Sequence, residues 1–279
     1  MGSRRQRRRS ASPAQGMGSP WTESEKKGNE MVASSGSANS SFSERVAAVL
    51  GKVSFRRASS GLDAERVYHM RSVANARLAG RKAVGGGQFR DEVCEVSPNC
   101  YDIMMFLDSE FVCTFRVFAA RGEDAALPSL VAFGDVLQPL LHQGRVIVDL
   151  TEIAMKLEYV CALPEASYFV VRGAWLAAEH FDADIITTTA YAEDQPVWAR
   201  MFGFRALSSS RSASQAGRNA VCLALDCRAN RDRLESRYPF FRSTEAERHS
   251  IFGPPRGLAA NSVDAAWLKL KPEMTARAR

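Results

Sequence analysis

A chain of 279 residues, 46% of them hydrophobic, carries enough apolar mass for one large domain with extensions. It has no uninterrupted apolar run of about 18 residues, so no membrane-spanning helix is expected, and its basic N-terminus lacks the apolar segment that a secretory leader needs. The net charge of +6 sits at one end: residues 1–57 hold 11 Lys and Arg against 4 Asp and Glu, whereas residues 58–279 hold 26 against 27. A near-neutral body argues against a nucleic-acid-binding protein.

Residues 1–42 read as a disordered basic arm. It opens with Arg4, Arg5, Arg7, Arg8 and Arg9 and continues through Ser, Gly and Pro with almost no large apolar residue. A short helix capped by Ser43 is expected through Val49, then a strand over Lys52–Ala58. Ser60 with Asp63 three residues on has capping-box spacing, ahead of a helix to about Leu78 with Val67, Met70, Val73, Ala74 and Leu78 at helical intervals. Gly85-Gly86-Gly87 marks a loop without the lysine context of a nucleoside-phosphate loop. Tyr101–Leu107 and Glu110–Phe118 flank Asp108-Ser109 as a hairpin.

A helix over Leu130–Leu141 and a strand over Val146–Met155 follow. Then come a helix over Tyr168–Phe181 capped by Ser167, a β-branched strand over Asp184–Tyr191, and a short helix over Pro196–Phe202 closed by Gly203. Phe204–Leu207 and Ala220–Cys227 read as the last strands, and Arg231–Tyr238 as a helix within a partly helical or mobile extension over 229–279. The order predicts an α/β (α+β) mixed sheet with helices on both faces.

Six cysteines, Cys94, Cys100, Cys113, Cys161, Cys222 and Cys227, form no CxxC pair and have no zinc spacing with the four histidines. Reduced thiols in a cytoplasmic protein are expected. The histidines show no nucleophile–base pairing. Two charged residues stand out inside apolar strands. Glu152 lies mid-strand, where burial would favour a general base; Asp149, three residues earlier on the opposite face, is its rival. Arg116 needs a partner, because burying an isolated charge is very costly. It can fork onto an acceptor carboxylate, or hold Glu152 or an acid such as Asp91 in place.

Four local patterns carry a family resemblance over about residues 52–228. Asp184-Ile185-Ile186 followed by Trp198-Ala199-Arg200-Met201-Phe202-Gly203-Phe204 resembles the ending of GNAT acyltransferases. Cys113-Thr114-Phe115-Arg116 resembles the G-x-x-R strand of N-acyl amino acid synthases and acyl-homoserine lactone (autoinducer) synthases. Thr151-Glu152-Ile153-Ala154 is similar to their E-x-S-R strand, and Tyr68-His69-Met70-Arg71 to their Y-x-x-R element.

The resemblance implies a GNAT-like domain over 43–228 that transfers a fatty acyl group from a thioester to an amine. It implies a bacterial, cytoplasmic enzyme with no bound cofactor, acyl-ACP or acyl-CoA as cosubstrate, and a small amine acceptor such as an amino acid. It implies Glu152 and Arg116 as catalytic residues, and Arg71, Asp91, Trp198 and Phe202 as substrate contacts.

Three departures qualify it. Lys156–Ala166 holds no glycine where GNAT enzymes cradle the pyrophosphate of coenzyme A, and a backbone-amide cradle needs the close approach that glycine permits. This turns the expectation from coenzyme A towards acyl carrier protein as partner. Trp198 stands where a proton-donating Tyr is usual, and indole N–H cannot serve as that acid. Ala154-Met155 replace the Ser-Arg pair. An acetyl-CoA-dependent acetyltransferase and a catalytically inactive GNAT-like binding module remain the alternatives.

Overall fold

The computed structural model describes residues 42–78, 97, 99–122, 127–212 and 219–253. The expected disordered arm, the triple-glycine loop, Asp91 and the end of the C-terminal extension lie outside the described residues. The helices are α1 (Phe42–Leu50), α2 (Gly61–Leu78), α3 (Leu130–His142), α4 (Leu157–Ala162), α5 (Ala166–His180), α6 (Gln195–Phe202), α7 (Cys227–Arg237) and α8 (Glu245–Phe252). The strands are β1 (Val53–Arg57), β2 (Cys100–Leu107), β3 (Glu110–Arg121), β4 (Val146–Met155), β5 (Ile185–Tyr191), β6 (Arg205–Ala206), β7 (Arg211–Ser212) and β8 (Asn219–Asp226). None of the described helices is long and apolar enough to cross a membrane.

One sheet runs in the order β1-β2-β3-β4-β5-β8-β6, with β7 also on β8. Its pairs are antiparallel except β4–β5. Alternation along β3 divides the core between the two faces. Phe115 and Val117 pack with Val148 and Leu150 of β4 against Phe169, Val170 and Trp175 of α5. On the other face, Met104, Phe111 and Ala154 meet Val67, Met70 and Ala74 of α2. Phe118 and Ile147, also on that face, meet Phe133, Leu137 and Leu141 of α3. α5 lies so close to β3 that a Cβ on Gly173 would collide with the Phe115 ring.

Local signals hold at several ends. The Asp63 amide donates to Ser60 Oγ at 3.1 Å, and Gly203 closes α6 in the left-handed region with φ 86°. Others move. α5 begins at Ala166, and no side-chain cap forms there, so Ser167 lies inside the first turn. The segment without glycine contains α4, a helix that its apolar spacing did not announce. α7 starts four residues earlier than expected, because Asp226 accepts the Ala229 amide at 2.7 Å. Phe240 and Phe241 pack with Trp175 and Tyr168 of α5, which joins the residues after β8 to the main core.

Candidate active site

The β2–β3 hairpin builds the charged part of the site. Asp108 and Ser109 turn with positive φ, 47° and 71°, the geometry that matches the twist of paired strands. Leu107 faces Glu110 and Phe106 faces Phe111, and then the register shifts by one, so that Met105 faces Cys113 and Asp102 faces Arg116. Arg116 forks onto Asp102, with Nε at 2.8 Å from Oδ1 and Nη2 at 2.9 Å from Oδ2. From α2, Arg71 Nη2 donates to the same Oδ1 at 2.6 Å. Both arginines are buried, 8% exposed each.

Burial alone would raise the Asp102 carboxyl. The Arg116 hydrogen bond and the Arg71 charge outweigh it and hold the group below its ordinary range. Two guanidiniums share this one carboxylate. The trio interrupts the apolar face between the α2 and α3 clusters.

The second part of the site is a bulge in β4. Arg116 faces Thr151 and Thr114 faces Ala154, so Glu152 and Ile153 together oppose Phe115. Glu152 takes a left-handed φ of 51°, which costs a side chain with a Cβ about 1–2 kcal/mol. Arg71 Nε donates to the Glu152 carbonyl at 3.3 Å. The bulge sits where the sheet opens: the β4–β5 pairing ends at Leu150 opposite Thr188, while β4 runs on to Met155 and β5 to Tyr191 along β8. The parted strands leave β4 backbone groups on that side without a strand partner.

The structure corrects two expectations. Glu152 is exposed, so the desolvation invoked for it does not apply; the bulge turns it out of the strand's alternation. The buried carboxylate of β4 is Asp149, fully enclosed on the α3 face. It accepts from Ser129 Oγ at 3.0 Å, the Ser129 amide at 3.3 Å and Thr187 Oγ1 at 2.8 Å. Burial pushes its carboxyl up against the pull of those donors. Phe202 is 2% exposed and packs with Tyr168, Trp198, Phe204 and Tyr238. It is therefore a core residue of the α5 face and not an accessible substrate contact.

Trp198 is half-buried in the same aromatic group, 5.3 Å from Phe204 between centroids, on the opposite side of the sheet from Arg71 and Arg116. Asp91, offered as a partner for Arg116, lies outside the described residues. Among the described residues, the acid that holds Arg116 is Asp102. Its signal was an acid within the apolar run Tyr101–Leu107.

Arg71, an expected substrate contact, is buried. His69, His142 and His249 are exposed and His180 is half-buried. No three His, Cys, Asp or Glu side chains converge as a metal site among the described residues. The geometry offers a charge cluster, an exposed carboxylate at a strand bulge, and two strands whose pairing ends beside it.

No curated protein sequence matches the chain. Among solved structures, FeeM, an N-acyl amino acid synthase from uncultured soil microbes, is 13% identical, with a TM-score of 0.52 over 64% of this chain and 93% of its own. The acyl-homoserine lactone synthase LasI is 10% identical, with a TM-score of 0.45 over 62% of this chain and 88% of its own. An acetyltransferase of the GNAT family from Streptococcus pneumoniae is 12% identical, with a TM-score of 0.40 over 62% and 98%. The likeness to FeeM shows a shared fold, so the sheet described above is the expected GNAT-like α/β sheet. The description of N-acyl amino acid synthase FeeM matches residues 64–226, more than half of the sequence. The chain is an acyltransferase belonging to the FeeM N-acyl amino acid synthase family.

Proposed function

We propose that the protein transfers a fatty acyl group from an acyl carrier protein thioester to the amine of an amino acid. The observation that carries the acceptor class is the Arg71–Asp102–Arg116 trio, two buried guanidiniums on one carboxylate. A carboxylate-bearing acceptor is drawn to a bulge that lies beside two buried guanidiniums.

The donor reading rests on the segment between β4 and α5. It has no glycine, α4 fills it, and Glu158 and Glu165 stand ahead of the α5 N-terminus. Acids there oppose a pyrophosphate, which a helix N-terminus otherwise favours. A carrier-borne thioester needs only a slot for its extended prosthetic arm, and the gap between β4 and β5 suits one.

In this reading the acceptor ammonium gives a proton to Glu152, directly or through one water. The free amine attacks the thioester carbonyl. The C–N bond forms, the C–S bond breaks, and the departing thiolate takes up a proton. β4 amides beyond Leu150, where the pairing with β5 has ended, are the candidate donors to the developing oxyanion. Matched acyl carrier protein and coenzyme A thioesters, assayed side by side with a panel of amino acids, test this. Amide product formed more efficiently from the carrier thioester supports it. Higher efficiency with the coenzyme A thioester, or acylation only of amines without a carboxylate, overturns it.

A further inference from the structure

We infer that Arg71 is a positioning residue, a latch that holds the Glu152–Ile153 bulge of β4 in the shape met by the acyl thioester. The inference rests on the acyl-transfer reading and goes beyond it by assigning Arg71 to the strand instead of to the acceptor. Three observations meet at this residue. Glu152 holds φ 51° with a Cβ present, and such a conformation persists only where its surroundings over-determine it. Arg71 Nε reaches the Glu152 carbonyl at 3.3 Å. The same side chain is anchored at its other end, with Nη2 at 2.6 Å from Asp102, which Arg116 fixes in turn. The guanidinium therefore ties the bulge to the β2–β3 hairpin.

The bulge decides what β4 presents beyond Leu150. With it, Ile153 and Met155 pack on the α5 side with Leu150, and Ala154 packs on the α2 side. In a regular strand Leu150, Glu152 and Ala154 would share a face. Releasing the bulge exchanges the faces of every residue after Thr151 and rotates the peptide groups in the gap between β4 and β5. The hydroxyl of Thr151, buried with no hydrogen-bond partner in the structure, adjoins the bulge and is consistent with a strand bent away from regular pairing.

The test separates a latch from a binding group. Arg71→Lys keeps the charge but loses the rigid, separated Nε and Nη2 donors that span the Glu152 carbonyl and Asp102. Turnover with acyl carrier protein thioester should fall roughly 10–100-fold, the scale of a reacting group displaced by about 1 Å, while the acceptor KM stays within about threefold of wild type. Asp102→Asn should lower turnover alike, and the double variant should turn over no more slowly than the poorer single.

Hydrogen exchange of the 153–155 amides, read by mass spectrometry, should quicken in Arg71→Lys while that of Ile185–Thr188 does not. Adding Glu152→Gly, which accepts a left-handed backbone freely, should restore the protection. A tenfold rise in acceptor KM at unchanged turnover, or unchanged exchange at 153–155, would sink the latch. The exchange measurement needs no activity, so it judges the latch even if the acyl-transfer reading fails. Should Arg71→Lys fold poorly, the same exchange comparison on Asp102→Asn decides in its place.

Discussion

Asp102 and Arg116 face each other across β2 and β3 because the hairpin slips by one residue at Val112. Continued from Leu107–Glu110 without the slip, the register would set Asp102 opposite Phe115 and so on the α5 face, inside the larger core. The slip puts the charge pair on the other face, where Arg71 of α2 reaches it. The fork of Arg116 is thereby occupied by a protein carboxylate.

Arg116→Lys should therefore behave as the loss of a buried bidentate pair. We expect a loss of about 1–3 kcal/mol of stability in urea denaturation, since the point charge survives and the fork does not. The acceptor KM should change little. A large rise in that KM with unaltered stability would return Arg116 to the role of acceptor clamp.

Glu152 separates chemistry from folding. As an exposed side chain, Glu152→Gln should leave the melting temperature unchanged while turnover falls roughly 10²–10⁴-fold, the usual worth of a general base. Glu152→Gly should remove the same activity yet raise stability by about 0.5–1 kcal/mol, because glycine relieves the left-handed strain at some cost in unfolded-chain entropy. Wild-type turnover in Glu152→Gln at neutral pH would shift attention to Asp149.

The entry to α2 titrates. The Arg56 hydrogen bonds, at 2.7 and 2.8 Å, hold the Asp63 carboxyl down to about 2 from 3.8, against its partial burial and with help from the Ser59 amide. A folded value below the unfolded one stabilises the fold above pH 3.8, and the contribution fades as pH falls towards 2. Asp63→Asn should be less stable at neutral pH and lose less stability than wild type between pH 4 and 2. Parallel acid limbs in the two proteins would contradict this.

Packing of α5 on the sheet depends on a missing side chain. Gly173→Ala places a methyl group in the Phe115 ring, and overpacking of this kind costs about 1–3 kcal/mol. Thermal denaturation should show the loss, and Phe115→Leu in the same chain should recover part of it. An unchanged melting temperature for Gly173→Ala would mean that the helix can lift at no cost.

Sequence by itself determined the order of the main strands and helices, the two-faced α/β sheet and the arginine, glutamate and aromatic positions worth inspecting, because apolar periodicity, turn residues and caps are local properties. It could not determine which acid holds Arg116 or how Glu152 is exposed. Both depend on extra residues in paired strands, at Val112 in β3 and at Glu152–Ile153 in β4, and no local composition marks them. A shift of one residue exchanges the faces of a strand. The partner across the ladder and the helix packed above it choose between the two registers. At Asp102 that choice came from Arg71 and Arg116. Phe202, at the end of α6, is enclosed by Tyr168, Tyr238 and Phe204, although its sequence position suggested a binding surface. Tertiary packing decided these points because a buried charge needs its countercharge and an aromatic ring its neighbours, and both arrive from distant parts of the chain.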